Sequence, residues 1–498
     1  MAHPLNFLAF DLGAESGRAM LGQFDGGRLT LSPVHRFPNG PVYLPDGMHW
    51  DVLRLWTEIK QGMAQAVHEH AGELAGVGLD TWGVDFALLD RQGALVANPY
   101  HYRDSRTDGM LEEAFRRVPR DEIFERTGIQ FLSLNSLIQL LAMVVSGSPA
   151  LDIAQTFLTM PDLFNYWLTG QKVCEFSNAT TTQCYDPRAA AWAHTLLERM
   201  GIPSHIFPSV VSPGTVLGPL LPSVAEEIGL PGRQDLAVIA PACHDTGSAV
   251  AAVPAEGPGF AWISSGTWSI MGAELPAPVI NEQSLAFNLT NEGGVGGTFR
   301  FSKNIMGLWL VQESRRTWAR QGEDLSYDDL TRMAAEAEPF RAVIEPDYGE
   351  FLKPGDMPAR IRAYCRMTNQ PVPESKGAII RCALEGVALK YRWVLERVEE
   401  ILGHRLEPLH IVGGGTQNRL LSQLTADAIG RRVVTGPIEA TATGNIIVQA
   451  MALGHIASLA EGRQVVRNSF EVTSYEPVNR AGWDDAYERF LTLTKPSS

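Results

Sequence analysis

The chain has 498 residues, too many for one hydrophobic core, so two large domains are expected. Apolar residues make up 45% and charged residues 19%, the balance of a globular chain and not of a disordered one. A net charge of −15 excludes nucleic acid and anionic membrane as main partners, so any phosphate compound must be held locally by backbone amides, a few basic side chains or a metal.

The first apolar run has no basic flank and breaks at Asp11, so no leader segment is expected. The most apolar stretch, Leu137 to Val145, is too short for a membrane span and contains Gln139. Five cysteines, an odd number without a paired C-x-x-C spacing, point away from both a disulfide framework and a zinc site. A cytoplasmic protein with free thiols is expected, Cys365 and Cys382 being the two that a folded-back loop could bring together.

From Phe7 to Phe37 the pattern predicts three strands in a meander, turning at Gly13–Gly17 and at Asp25-Gly26-Gly27. Asp11 stands at the mouth of the first turn, which reads either as a plain hairpin with a small-residue tip or as a turn built for phosphate and metal. Asp51 can cap a helix in which Leu53, Trp56, Ile59 and Met63 recur at helical spacing. A strand at Gly76–Leu79 follows, then Asp80-Thr81-Trp82-Gly83-Val84-Asp85-Phe86 and a hairpin turning at Arg91-Gln92-Gly93. Three antiparallel strands, a helix and a parallel strand describe a mixed-sheet α/β unit; a Rossmann unit would alternate strand and helix from the outset. Asp104 to about Gly201 reads as mostly helical, with Pro161 and Asp162 opening one helix.

Proline and glycine accumulate between Pro208 and Pro231, which sets a boundary there or shortly after, and the domains are taken as 1–240 and 241–498. The opening architecture then recurs. Leu236–Ala240 ends at Pro241-Ala242-Cys243-His244-Asp245, and Phe260–Met271 is again strand, small-residue turn, strand. In the last third, Ile380, Leu384, Val387, Tyr391, Val394, Val398 and Leu402 stripe a long helix that Gly403 closes. Leu409–Val412 is a strand running into Gly413-Gly414-Gly415, and Thr416 or Asn418 can start the next helix, ended by Gly430. A strand at Arg432–Val434 and a final helix from about Thr443 complete the chain.

No G-x-x-x-x-G-K-[ST] stretch is present, and Gly13 and Gly17 do not form G-x-G-x-x-G. Asp11 would repel a bare pyrophosphate, so phosphate binding at the first turn requires a cation such as Mg²⁺, with the N–H groups of Ala14 to Gly17 and Arg18 as further donors. Gly266-Thr267 offers a second phosphate turn. Gly413-Gly414-Gly415 is either an unobstructed surface for a purine or a tight strand-to-helix turn. Asp245, an acid among small residues after an apolar strand, is either the group that accepts a hydroxyl proton in phosphoryl transfer or the cap of the following helix. Trp82–Asp85 and Tyr102–Arg106 carry residue types suited to a sugar, and equally to a solvated loop.

Together these stretches resemble the FGGY carbohydrate kinases, and within them most closely the branch acting on L-rhamnulose. The matches are Asp11-Leu12-Gly13 with Ser16-Gly17-Arg18, Asp80–Phe86, Tyr102–Arg106, Gly128–Phe131, Asn178–Gln183, His244-Asp245-Thr246, Ser264–Ser269, Thr290–Gly294, Lys303–Trp309 and His410–Gly415. They run in order along nearly the whole chain.

The resemblance implies an α/β fold of two ribonuclease-H-like domains, of the actin and sugar-kinase superfamily, around a central cleft. It implies transfer of the ATP γ-phosphoryl group to the 1-hydroxyl of the ketose with Mg²⁺. By position, Asp245 is the proton acceptor, and Gly83, His244, Asp245 and Thr246 contact the sugar. Ala14, Glu15, Ser16, Gly17, Arg18, Thr267, Asn304, Gln312 and Gly414 contact ATP, and Asp11 holds Mg²⁺ through water. Glu15 departs from the pattern, adding a second acid where many relatives carry a small hydroxyl residue. The expected partners are a small ketose and ATP, with no nucleic acid and no membrane; monomer and homodimer stay open. Other readings are a kinase for L-fuculose or L-xylulose, a non-catalytic sugar- or nucleotide-responsive protein, and an actin-type ATPase.

Overall fold

Alternating and continuous apolar runs build the opening sheet. Leu5–Leu12 (β1) and Ser16–Phe24 (β2) pair antiparallel with Asp11 opposite Arg18, and β2 pairs antiparallel with Leu29–Pro38 (β3). Asp25 sets the second turn, its Oδ1 accepting from the N–H groups of Gly27 (2.9 Å) and Arg28 (2.8 Å). Gly76–Thr81 (β4) lies parallel to β1. Thr215–Pro219 (β5) pairs antiparallel with Ala237–Ala240 (β6), and β6 lies parallel to β4. The sheet order is β5-β6-β4-β1-β2-β3. The predicted meander is therefore present, as is the helix Val52–Glu69, whose N-terminus Asp51 caps by accepting from Arg54 N–H (3.1 Å).

The computed structural model describes residues 4–69, 73–232 and 236–494. They fall into two units: Met1–Glu256 with Glu274–Phe301 and Ala440–Phe470, and Gly257–Ala273 with Ser302–Glu439 and Glu471–Ser498.

The hairpin expected at Arg91-Gln92-Gly93 turns there: Leu89 bridges Leu95 antiparallel, and Val96 N–H donates to Leu88 O (2.9 Å). Phe86–Leu89 also pairs along its length with Thr156–Thr159, a partner that local pattern does not reveal. Both strands of that ladder, Phe86–Leu89 and Thr156–Thr159, are buried throughout. The stretch to Gly201 is mostly helical as expected, with Pro161 in the first turn of the helix Met160–Thr169.

The helix expected from about Thr443 spans Ala440–Ala452 and is not the last, since Leu459–Ser469 and Trp483–Leu493 follow. It returns to the first unit. Gly444 lies so close to the Ser248 carbonyl that any side chain would collide with it.

The second unit repeats the sheet. Ala261–Ser265 (β7) pairs antiparallel with Trp268–Leu275 (β8), beyond which lies Phe299–Met306 (β9). Leu409–Val412 (β10) runs parallel to β7, Val433–Thr435 (β11) parallel to β10, and Thr473–Tyr475 (β12) antiparallel to β11. The order β9-β8-β7-β10-β11 is that of β3-β2-β1-β4-β6, so the recurrence read from the hairpins extends over five strands. Beyond them the sheets differ, since β12 follows β11 in the chain whereas β5 precedes β6, and the second sheet has a further strand, Thr290–Gly293, beside β9. The striped helix is Lys376–Leu402, closed by Gly403. Asn418, and not Thr416, caps the next helix, Arg419–Ile429, accepting from Leu421 N–H (2.9 Å). All five cysteines are unpaired and buried. Among the described residues no helix is long and apolar enough to cross a membrane.

Candidate active site

In the first unit the predicted residues gather at the carboxyl ends of the parallel strands β1, β4 and β6, where open α/β sheets bind ligands. Asp11 is the penultimate residue of β1 and stands beside Asp80 of β4 in the sheet register. Arg18 reaches across the hairpin and donates to Asp11 Oδ2 from Nε (3.0 Å) and from its terminal nitrogen (2.6 Å). Asn39 braces the turn, its Nδ2 donating to Gly13 O (2.8 Å) and its N–H to Glu15 O (3.0 Å). Glu15 itself is exposed.

Asp80 is fully buried. Its Oδ2 accepts from Asn445 Nδ2 (2.6 Å), whereas Oδ1 has no hydrogen-bond partner. Burial, then the neighbouring Asp11, push its carboxyl well above the ordinary range; the Asn445 hydrogen bond opposes them. Among the described residues no three acidic, histidine or cysteine side chains converge to encage an ion unaided. Mg²⁺ needs no such cage, since it takes one or two carboxylates and fills its shell with water and phosphate. Asp11, next to a buried carboxylate oxygen that lacks a partner, fits such an ion.

The loop after β6 is fastened to β4 and to Glu175. Thr81 N–H donates to Cys243 O (2.9 Å). Glu175 Oε2 accepts from Cys243 N–H (2.9 Å) and from Ser177 Oγ (2.6 Å), which in turn accepts from His244 N–H (3.0 Å). Buried completely, Glu175 is pushed up to about 7. His244, and not Asp245, occupies the N-cap of the helix Asp245–Ala251, so Asp245 lies in the first turn. Asp245 Oδ1 accepts from Thr246 N–H (2.5 Å) and Thr246 Oγ1 (3.1 Å) and lies 3.4 Å from His244 Nε2. The side chain keeps 29% of its surface. Desolvation raises its pKa and Asp11 adds to the rise, while His244 and the Thr246 hydrogen bonds draw it back. On its other ring nitrogen, His244 Nδ1 lies 2.9 Å from an Arg300 terminal nitrogen and 3.2 Å from Glu292 Oε2.

Gly83 precedes Val84, whose φ of 67° is a strained backbone for a β-branched residue. The strain is held by Thr181 Oγ1, which accepts from Val84 N–H (3.0 Å), and by Ser136, which donates to Val84 O. Asp85 is buried and accepts from Trp50 Nε1 (2.6 Å), Gln139 Nε2 (2.8 Å) and Trp82 Nε1 (3.0 Å). Desolvation still pushes its carboxyl up to about 6. Tyr102–Arg106 is not a solvated loop. Tyr102 N–H donates to Asp85 (3.2 Å), Asp104 accepts from Met48 N–H (2.8 Å), and Arg106 donates to Gln139 Oε1 (2.6 Å).

The second unit brings together a different set. Thr267 sits in the β7–β8 turn, which is closed by Gly266 N–H donating to Trp268 O (2.8 Å). The N–H groups of Leu308 and Trp309 donate to Gly266 O (3.0 Å) and Thr267 O (3.1 Å), setting the helix Trp309–Arg320 against the turn. Gln312 lies on that helix, and its Oε1 is buried without a hydrogen-bond partner. Asn304 is half-buried on β9. The three glycines after β10 divide into two kinds. Gly413 (φ 90°) and Gly415 abut Ser265, where a Cβ would crowd the Ser265 carbonyl or side chain, whereas Gly414 is exposed and faces open space. The tight-turn reading thus holds for Gly413 and Gly415, while Gly414 leaves an unobstructed surface.

The predicted residues therefore form two groups, Asp11, Ala14–Arg18, Gly83 and His244–Thr246 in the first unit, and Thr267, Asn304, Gln312 and Gly414 in the second. Reasoning from sequence gave no role to Asp80, Glu175, Glu292, Arg300 or Asn445. Asp80 had one usable signal: two strands predicted parallel, each ending in an acid.

Two mixed sheets that share five strands in order, each with a tight hairpin turn at its strand ends, define a carbohydrate-kinase fold. A ligand-bound xylulose kinase from Lactobacillus acidophilus has that fold, with a TM-score of 0.80 at 16% identity over 98% of this chain and 96% of its own. The xylulose kinase of Rhodospirillum rubrum superposes with a TM-score of 0.77 at 20% identity, covering 98% of both chains. Residues 6–251 match the N-terminal domain of the FGGY family of carbohydrate kinases and residues 261–453 its C-terminal domain. A rhamnulokinase from Bacteroides thetaiotaomicron is 45% identical over 491 residues, spanning 98% of this chain and 99% of the relative. Rhamnulokinases from Oceanobacillus iheyensis (95% and 99% covered) and Pectobacterium carotovorum (99% and 97% covered) are 40% identical. This chain belongs to the FGGY family of carbohydrate kinases. Its substrates are accordingly a sugar and ATP.

Proposed function

We propose that the chain is an L-rhamnulose kinase, transferring the γ-phosphoryl group of ATP to the 1-hydroxyl of the ketose in L-rhamnose catabolism. What carries the reading is the 45% identity to a rhamnulokinase across nearly the full length of both chains. Asp245 accepts the hydroxyl proton; the freed oxygen bonds to the γ-phosphorus as the bond to the bridging oxygen breaks, and ADP departs. A raised pKa makes Asp245 a stronger base once ionised. Gly83, His244 and Thr246 orient the ketose beside it. Ala14–Arg18 and Thr267 hold the phosphates, while Asn304, Gln312 and Gly414 hold the rest of the nucleotide. Asp11 would hold Mg²⁺, whose chemistry there would be to neutralise charge on the phosphates.

In this reading the first unit carries the first phosphate turn, the sugar contacts Gly83, His244 and Thr246, and the base Asp245. The second unit carries the second phosphate turn and the adenosine surface. The enzyme acts in the cytoplasm, where its co-substrate ATP is available. A coupled ADP-release assay across L-rhamnulose, L-fuculose and L-xylulose tests the proposal. The highest kcat/KM is expected for L-rhamnulose, and a preference for another ketose, or no sugar-stimulated turnover, overturns it.

A further inference from the structure

We propose that Glu292 and Arg300 are positioning residues that keep the His244 proton on Nε2, leaving Asp245 Oδ2 as the oxygen that takes the substrate proton. The inference rests on reading Asp245 as the proton acceptor. It gives a role to the Thr290–Gly293 strand, which neither phosphate nor sugar binding otherwise uses.

Arg300 is buried completely, where a guanidinium is costly unless paired and hydrogen-bonded. Its Nε donates to Gly293 O (2.8 Å), and one terminal nitrogen lies 2.9 Å from His244 Nδ1 and 3.2 Å from Glu292 Oε2. A guanidinium has donors only, and Glu292 Oε2, though 3.2 Å from Nδ1, receives no hydrogen bond, so it is to Arg300 that Nδ1 presents its lone pair. The neutral imidazole then has its single proton on Nε2, which faces Asp245 Oδ1 at 3.4 Å. Thr246 already sends its N–H (2.5 Å) and its Oγ1 (3.1 Å) to the same oxygen. Three donors thus converge on Oδ1, and among the described residues no hydrogen bond reaches Oδ2. The lone pairs of Oδ2 are the ones left for a substrate hydroxyl. Glu292, itself buried, supplies the negative charge that lets Arg300 stay at Nδ1; its own Oε2 lies 3.2 Å from both nitrogens.

The test is ¹⁵N NMR of the full-length chain labelled at histidine, with His244→Gln to assign the ring signals. Without any substrate, Nε2 is expected to be protonated and Nδ1 unprotonated; a proton on Nδ1, or on both nitrogens, overturns the proposal. Glu292→Gln is expected to turn the single tautomer into a mixture. It should lower kcat about ten- to a hundredfold while the ketose KM stays within about twofold, and Glu292→Asp should recover part of the loss. An unchanged tautomer with unchanged kcat also overturns it. If Glu292→Gln does not fold, the wild-type tautomer alone decides. The NMR readout needs no sugar, so its failure is distinguishable from failure of the L-rhamnulose assignment, which the ketose panel decides.

Discussion

The β1–β2 turn and the β7–β8 turn occupy the same place in two sheets that share the order of five strands, yet they are chemically unlike. In the first, Asp11 faces Arg18 across the hairpin and Asp80 along the sheet. In the second, Ser264 faces Ile270 across the hairpin and Val412 along the sheet. One backbone plan therefore serves a carboxylate pair in one copy and a neutral turn in the other. Under the proposed function the difference is a division of labour. A cation needs carboxylate, while a polyphosphate already neutralised by that cation is better met by donors without negative charge. A repeated architecture can keep its geometry while each copy specialises its charge.

The comparison breaks most sharply at the base. Asp245→Asn keeps the shape and removes the proton acceptor, so kcat should fall by about a thousandfold with the ketose KM little changed. Steady-state kinetics showing substantial turnover would end the assignment. Next, Asp11→Asn should raise the Mg²⁺ concentration for half-maximal activity by about tenfold, and Ser264→Ala at the matching place should leave it unmoved. Equal responses would erase the proposed specialisation.

Within the second unit, Gly415→Ala should destabilise the fold by about 1–3 kcal/mol in denaturant titrations, because its Cβ collides with Ser265. Gly414→Ala should leave stability alone and raise only the KM for ATP. Glu15→Ser, at an exposed position, should change the KM for ATP by no more than about twofold, since surface charges are screened.

Stability against pH sharpens the contrast from another side, because fully buried carboxylates with raised pKa values cluster in the first unit. Burial pushes Asp162 up to about 8 and Glu175 up to about 7. In the unfolded chain both titrate near ~4, so between these limits the folded state holds protons that the unfolded state has lost. Their contribution is complete below about pH 4 and is lost as pH rises through 7 and 8. Calorimetry should find Tm falling over that range, and Asp162→Asn should shallow the fall. An identical slope in the variant would count against the buried acid as its source.

Local chemistry was legible before any coordinates. The Asp25-Gly26-Gly27 turn, the Asp51 cap and the stripe from Ile380 to Val398 each depend on neighbours a few residues away, and each formed as read. What stayed hidden depended on partners distant in the chain. Beside its hairpin at Arg91-Gln92-Gly93, Phe86–Leu89 has a second partner about seventy residues on, at Thr156–Thr159. The triple glycine held two answers, because only the approach of Ser265 separates Gly413 and Gly415 from Gly414. In the candidate site, the acids at strand ends were visible, whereas their satisfying partners were not. Asn445 meets Asp80 across 365 positions, and Arg300 meets His244 across 56. No periodicity encodes such a meeting; only packing does.

The helix Ala440–Ala452 carries a consequence for biogenesis. Its Gly444 fits against Ser248, and its Asn445 donates to Asp80 Oδ2. During translation the first 256 residues emerge long before this helix exists, so the nascent first unit lacks both the contact at Ser248 and the donor to Asp80. Maturation of the first unit is thereby tied to near-complete synthesis of the chain, and a polypeptide stopped before residue 440 leaves the ribosome without the piece that closes it.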